Sequence, residues 1–151
     1  MDQFDLQHRL RLQISQNNGS LPPPHRRARE LVLDAAGVSH YALFRGYDLS
    51  DRDCQFRREF VLASEQREQL AQILIELAIF DTDWQRSDIC SVGGPQIHIL
   101  CSDGLREVEV PNTLATNELL QRRDELVSVA LAQIPAEIIA EARVWKESDR
   151  D

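Results

Sequence analysis

The chain has 151 residues, which suits one domain with a core that needs no disulfide or metal staple. Its formal net charge is -8 and its sequence pI about 5.0. That balance argues against nucleic acid and anionic membrane as partners, because both need a basic face that displaces counterions from phosphate. No stretch approaches the ~20 apolar residues of a membrane-spanning helix. No secretory pattern opens the chain, and three cysteines without an export signal read as reduced thiols, so the expected location is cytoplasmic.

"HRLRLQIS" alternates, with Leu10, Leu12 and Ile14 on one side and Arg9, Arg11 and Gln13 on the other, which predicts a half-buried strand. Phe4, Leu6 and Leu10 in "FDLQHRLRLQI" offer a helix as the rival reading. "QNNGSLPPPH" then interrupts any regular element, since Asn-Gly and three prolines continue neither a helix nor a ladder. "RELVLDAAGVSHYALFRGY" reads as a hairpin turning at Ala35, Ala36 and Gly37, the glycine supplying a positive φ. A short helix ended by Gly37 is the alternative there. "DLSDRD" is an acidic loop. "QFRREFVL" is the next strand, with Phe56, Phe60 and Leu62 on one face and Arg58 among them.

Ser64 is positioned to cap a helix, with Glu65 in the first turn and Leu70, Ile73, Leu74 and Leu77 as its apolar stripe. Ile75, Ala78, Ile79 and Phe80 widen the stripe, which predicts deep burial of its C-terminal end. A polar loop leads to "PQIHIL" and "LREVEV", two strands around an Asp103-Gly104 turn. A helix is predicted from about Thr116 to Gln133, with Leu120, Val127, Ala130, Leu131 and Ile134 along its buried side. Pro135 breaks it. A last helix follows with Ile138, Ile139, Ala142 and Trp145 on one side, then a charged tail. The expected fold class is therefore α+β: an antiparallel sheet built from hairpins, with two to three helices packed on one face. The domain division is a single α+β domain over 1–134, then a C-terminal helix and charged tail over 135–151.

"ICSVGGPQIHILCSDG" carries Cys90, His98 and Cys101, but no close ligand pair of the kind a zinc site uses. On a strand His98 and Cys101 leave opposite faces, so no metal site is expected. Gly93-Gly94-Pro95 precedes a strand rather than a helix, which is the wrong geometry for a phosphate loop. Asp48, Asp51 and Asp53, like Asp81 and Asp83, read as solvated loop charge. His40 with Cys54 could form a base and nucleophile only if their strands place them together. No catalytic residue and no cofactor is assigned. The binding candidates are Arg26, Arg27 and Arg29 after the prolines, which could form a basic face, together with His98 and Trp84. Tryptophan is enriched at interfaces, Trp84 and Trp145 alike, though core packing is the default for both. Arg57 with Arg58, and Arg122 with Arg123, are read as pairing with the abundant carboxylates.

The succession "LRLQIS", "RELVLDAAGVSHY", "EFVLASEQREQLAQILIELAIFD" and "IHILCSDGLREVEVP" resembles small bacterial α+β domains of the emfourin type, over roughly residues 8 to 134. The shared features are a strand and helix ending in Ile-Phe-Asp and a hairpin closing in Val-x-Val-Pro. Some such domains are implicated in inhibiting thermolysin-like metalloproteases. The resemblance implies the α+β fold. The absence of a convergent catalytic set beside this well-patterned two-layer fold points to a non-enzymatic protein-binding module, an inhibitor or regulator of a partner protein, as monomer or homodimer. The proline-rich loop, the "DLSDRD" insertion and the last helix depart from the pattern. Two rival classes stand beside it. One is a small enzyme built from His40 or His98 with loop aspartates. The other is a structural homo-oligomer sealed through the C-terminal helix or an open strand edge.

Overall fold

The computed structural model describes residues 3–19, 27–45, 54–88 and 94–148. Both N-terminal readings hold, one after the other. α1 (Gln3–Arg9) buries Leu6, and the Leu10 N–H donates to the Leu6 carbonyl at 3.0 Å. β1 (Arg11–Asn17) then takes over with Leu12 and Ile14 buried. The side-chain period switches from 3.6 to 2 at Leu10.

β2 (Arg27–Asp34) and β3 (Ser39–Arg45) form the expected hairpin. Its turn works differently from the expectation. Gly37 is not among the positive-φ glycines, which among the described residues are Gly19 and Gly104. Asp34 organises the turn instead. Its carboxylate accepts from the Ala36 N–H at 2.9 Å, and its own N–H donates to the Ser39 hydroxyl at 2.9 Å. β4 (Cys54–Phe60) buries Phe56 and Phe60. Arg58 lies between them with its guanidinium 4.5 Å from the Phe56 ring centroid.

α2 (Ser64–Glu76) begins one residue away from the predicted cap: the cap is Ala63, whose N–H donates to the Gln66 side chain at 2.9 Å. That is the backward half of a capping box without its forward half. Leu70, Ala71 and Leu74 are buried, whereas Ile75 points outward. The helix ends at Glu76, and Ile79 beyond it is fully buried.

β5 (Gln96–Ser102) and β6 (Glu107–Val110) turn at Asp103-Gly104. Gly104 has φ +93°, and a Cβ there would stand 3.4 Å from the Arg9 side chain. α3 (Asn117–Leu131) is capped by Thr116, whose side chain accepts from the Leu119 N–H at 3.2 Å. α4 (Ala136–Ser148) follows Pro135.

The strands make one six-stranded antiparallel sheet in the order β4-β3-β2-β1-β5-β6. A row across its centre reads Arg58, Tyr41, Leu31, Ile14, Ile99, Val110. All but Arg58 are buried, and they join Leu6, Leu70, Leu126 and Ile138 from the four helices in one core. The class is thus α+β as expected, with α1 as the helix beyond the predicted two to three. Ile138 and Ala142 belong to the same core, so it does not stop at residue 134. Among the described residues no helix is long and apolar enough to cross a membrane.

Candidate functional site

Register decides which predicted candidates can meet. His40 lies opposite Glu59, whereas Cys54 lies opposite Phe44, near the other end of the β3–β4 ladder. Four residues of strand, about 13 Å, separate the two positions, so they form no nucleophile–base pair. His40 Nε2 sits 2.7 Å from Glu30 Oε1, and Gln13 Nε2 donates to the other Glu30 oxygen at 3.3 Å. The Cys54 thiol donates to the Phe56 carbonyl at 3.5 Å.

Cys101 points into the core and His98 leaves the opposite face, exposed, beside Ser15 on the neighbouring strand. Burial, with the Asp103 charge adding to it, pushes the Cys101 thiol up to about 12. It is a protonated core group. Cys90, Arg26, Asp48, Asp51 and Asp53 lie outside the described residues. Asp81 pairs with Arg106 at 3.4 Å on the surface. Asp103 is fully buried, and its carboxylate accepts from the Leu105 and Arg106 N–H groups at 2.8 and 2.6 Å and from Arg106 Nε at 3.1 Å. It builds the hairpin turn.

Trp84 is corrected as a surface anchor. It is only 8% exposed, and its indole N–H donates to the Ile79 carbonyl at 3.0 Å. Trp145 is half-buried against the core. Of the other arginines predicted to pair with carboxylates, three do so, and Arg57 has no such partner among the described residues. Arg58 meets Glu141 at 2.6 Å, Arg122 meets Glu118 at 2.9 Å, and Arg123 meets Asp124 at 3.3 Å.

What the fold does assemble lies at the end of the sheet where β1 and β5 run out under α3. α3 presents two neighbouring stripes. Leu126 and Ala130 enter the core. Beside them, Leu120, Arg123, Asp124, Val127, Ser128 and Leu131 follow the spacing i, i+3, i+4, i+7, i+8, i+11, which is one complete helical face. That face forms one wall of a groove of about 780 Å³. Gln16, Asn17, Gln96 and Ile97 from the strand ends form its floor, and residues 112–114 its far side. Three of the five residues predicted for the buried side of α3 therefore face the groove half-buried, while Leu126, absent from that prediction, is fully buried.

The far side is held by polar bonds. Asn112 accepts from the Ile97 N–H at 2.8 Å, and its carbonyl accepts from Arg123 at 2.8 Å. Residues 113–115 pair with 85–87 through an antiparallel bridge between Arg86 and Leu114. The volume falls within the roughly 300–1,000 Å³ of ligand pockets.

No protein-family model matches this chain, and no curated protein does.

A second, smaller cavity of about 300 Å³ adjoins the groove and shares Gln16 and Asn17 with it. Arg27, Arg29 and Lys146 line it, with Asn18, Ala28 and Leu43. Two of the predicted arginines thus converge, and the chain's only lysine joins them. Arg29 Nε donates to Gln16 Oε1 at 2.6 Å. Partial desolvation, followed by the Arg29 charge, holds the Lys146 ammonium below the ordinary lysine value. Gln16, Asn17 and Lys146 escaped the sequence reading because their proximity depends on cross-strand register and on where α4 ends.

Proposed function

We propose that this chain is a protein-binding module whose docking site is the groove between α3 and the ends of β1 and β5. The observation that carries this reading is the second stripe of α3. Leu120, Val127 and Leu131 are partly buried against the core yet keep some apolar surface along the cavity, flanked by Arg123, Asp124, Ser128 and side-chain amides. An apolar strip rimmed by hydrogen-bonding groups suits a peptide segment better than a reacting small molecule. The segment-level resemblance to emfourin-type domains points the same way. The enzyme alternative has less support, because His40 is engaged with Glu30 and is separated from Cys54.

Edge-to-edge assembly is also disfavoured. β4 carries Arg57, Arg58 and Glu59, and β6 is four residues long with Glu107 and Glu109 exposed. Charged and short edge strands resist pairing with a second sheet. A monomer that acts as a regulator of its partner is the resulting picture.

The test is a selection of binders from a random dodecapeptide display library. Enriched peptides should bind the wild-type chain and lose binding to Val127→Asp, which places a charge on the groove wall. Absence of enrichment, or equal binding to Val127→Asp, contradicts the reading.

A further inference from the structure

Resting on that docking reading, we propose that the adjoining pocket of Arg29, Lys146 and Gln16 is a carboxylate subsite. The docked segment is then an acidic peptide, with an apolar side chain on the α3 wall and an Asp, Glu or terminal carboxylate in the basic pocket.

Local charge balance supports this. Among the described residues Arg58, Arg86, Arg106, Arg122 and Arg123 pair with carboxylates. Yet among the described residues no carboxylate pairs with Arg29 or Lys146, although the two face one cavity and Arg27 lines it as well. The Arg29 and Lys146 charges repel each other, and an anion between them relieves that repulsion.

The donors are also oriented. Arg29 Nε can only donate, so the Gln16 carbonyl oxygen must face it, which leaves the Gln16 NH2 as a donor on the other end of the amide. The Nη pair of Arg29, held by the Nε bond, offers the two-pronged geometry that fits a carboxylate. Gln16 and Asn17 belong to both cavities, so a ligand group in the basic pocket is connected directly to the groove.

The global charge of -8 favours a singly charged carboxylate over a doubly charged phosphate, because long-range repulsion scales with ligand charge. Recognition must then come from contact rather than from steering.

The experiment uses the peptides enriched on the full chain. Binding is measured by calorimetry to wild type, Arg29→Gln and Lys146→Gln, with far-UV circular dichroism as the folding check. Lys146 is exposed, so its substitution leaves the fold intact. The expected result is enrichment of acidic residues beside aliphatic or aromatic ones, and about tenfold weaker binding to each variant. Replacing the acidic residue of the peptide by its amide should weaken wild-type binding similarly, with little further loss on Lys146→Gln. Enriched peptides without acidic residues, or unchanged affinity for Lys146→Gln, overturn the subsite while leaving the docking groove standing. No enrichment at all overturns both. A parallel titration with inorganic phosphate separates the anion sources. Saturable phosphate binding lost in Lys146→Gln, with indifference to the peptide carboxylate, would overturn the acidic-peptide assignment.

Discussion

Replacing Ala78 by glycine should stabilise this protein, against the usual direction of core-proximal mutations. α2 ends in a Schellman arrangement: the Ile79 N–H donates to the Leu74 carbonyl at 3.1 Å and the Ala78 N–H to the Ile75 carbonyl at 3.0 Å. This closure requires a left-handed residue, and Ala78 supplies it at φ 49°. A non-glycine residue in that region costs about 1–2 kcal/mol. The conformation persists because the turn is fixed from several sides. Thr82 donates to the Ala78 carbonyl at 2.6 Å, Trp84 donates to the Ile79 carbonyl, and Ile79 is locked in the core. Glycine removes the strain but gives back about 0.4–1 kcal/mol through its freer unfolded state. Loss of a half-buried methyl subtracts roughly another 0.4 kcal/mol, half of a fully buried methylene. The net runs from about -0.4 to about +1.2 kcal/mol, centred on roughly 0.4 kcal/mol of stabilisation, or about 1–2 °C in Tm for a chain of this length. Thermal and urea unfolding followed by circular dichroism measure it. Ala78→Val is the control, since a β-branched residue there should lower stability by more than about 1 kcal/mol. A loss of 1 kcal/mol or more for Ala78→Gly would mean that the left-handed alanine stores no such strain.

Two further predictions concern buried ionisable groups. Burial pushes the Asp103 carboxyl up, but the Arg106 and Leu105 N–H groups and the Arg106 guanidinium outweigh it and hold it below its ordinary 3.8. A depressed folded value means that the ionised carboxylate stabilises the fold above pH 3.8, and that this contribution fades as pH falls through the lowered value. Asp103→Asn should therefore be less stable by about 1–3 kcal/mol at pH 7. Its deficit should shrink in urea melts below pH 3.8, and a deficit independent of pH would contradict the assignment. Cys101, with its thiol pushed up to about 12, should resist iodoacetamide at pH 8 in the folded chain and react once unfolded. Mass mapping of the alkylated peptide reads this directly, and native-state modification of Cys101 would count against its burial.

Much of the fold was legible because local patterns agreed with the tertiary result. The alternation of Leu12 and Ile14, the Asp103-Gly104 turn and Thr116 before α3 each named its element. The differences have local causes. Asp34 replaced Gly37 as the organiser of the first turn, because a side-chain acceptor can hold a turn that needs no positive φ. Ala63 became the α2 cap because Gln66 reaches back to its N–H. On α3 the apolar residues span more than one stripe, so sequence spacing alone could not separate the core face at Leu126 from the groove face at Val127. The candidate site was less legible for a related reason. Arg27 and Arg29 were visible as a cluster, but Gln16 and Lys146 reach them only through the β1–β2 register and the reach of α4. Trp84 looked available for a partner until the Ile79 carbonyl claimed its indole.

The most direct test of the docking assignment is amide chemical-shift mapping of a library-selected peptide on the isotope-labelled full chain. Saturable shifts are expected at Gln16, Asn17, Ile97, Leu120, Val127 and Leu131, all lost in Val127→Asp. Shifts clustered instead around His40, Glu30 and His98 on the other face of the sheet, with the groove unmoved, would contradict it.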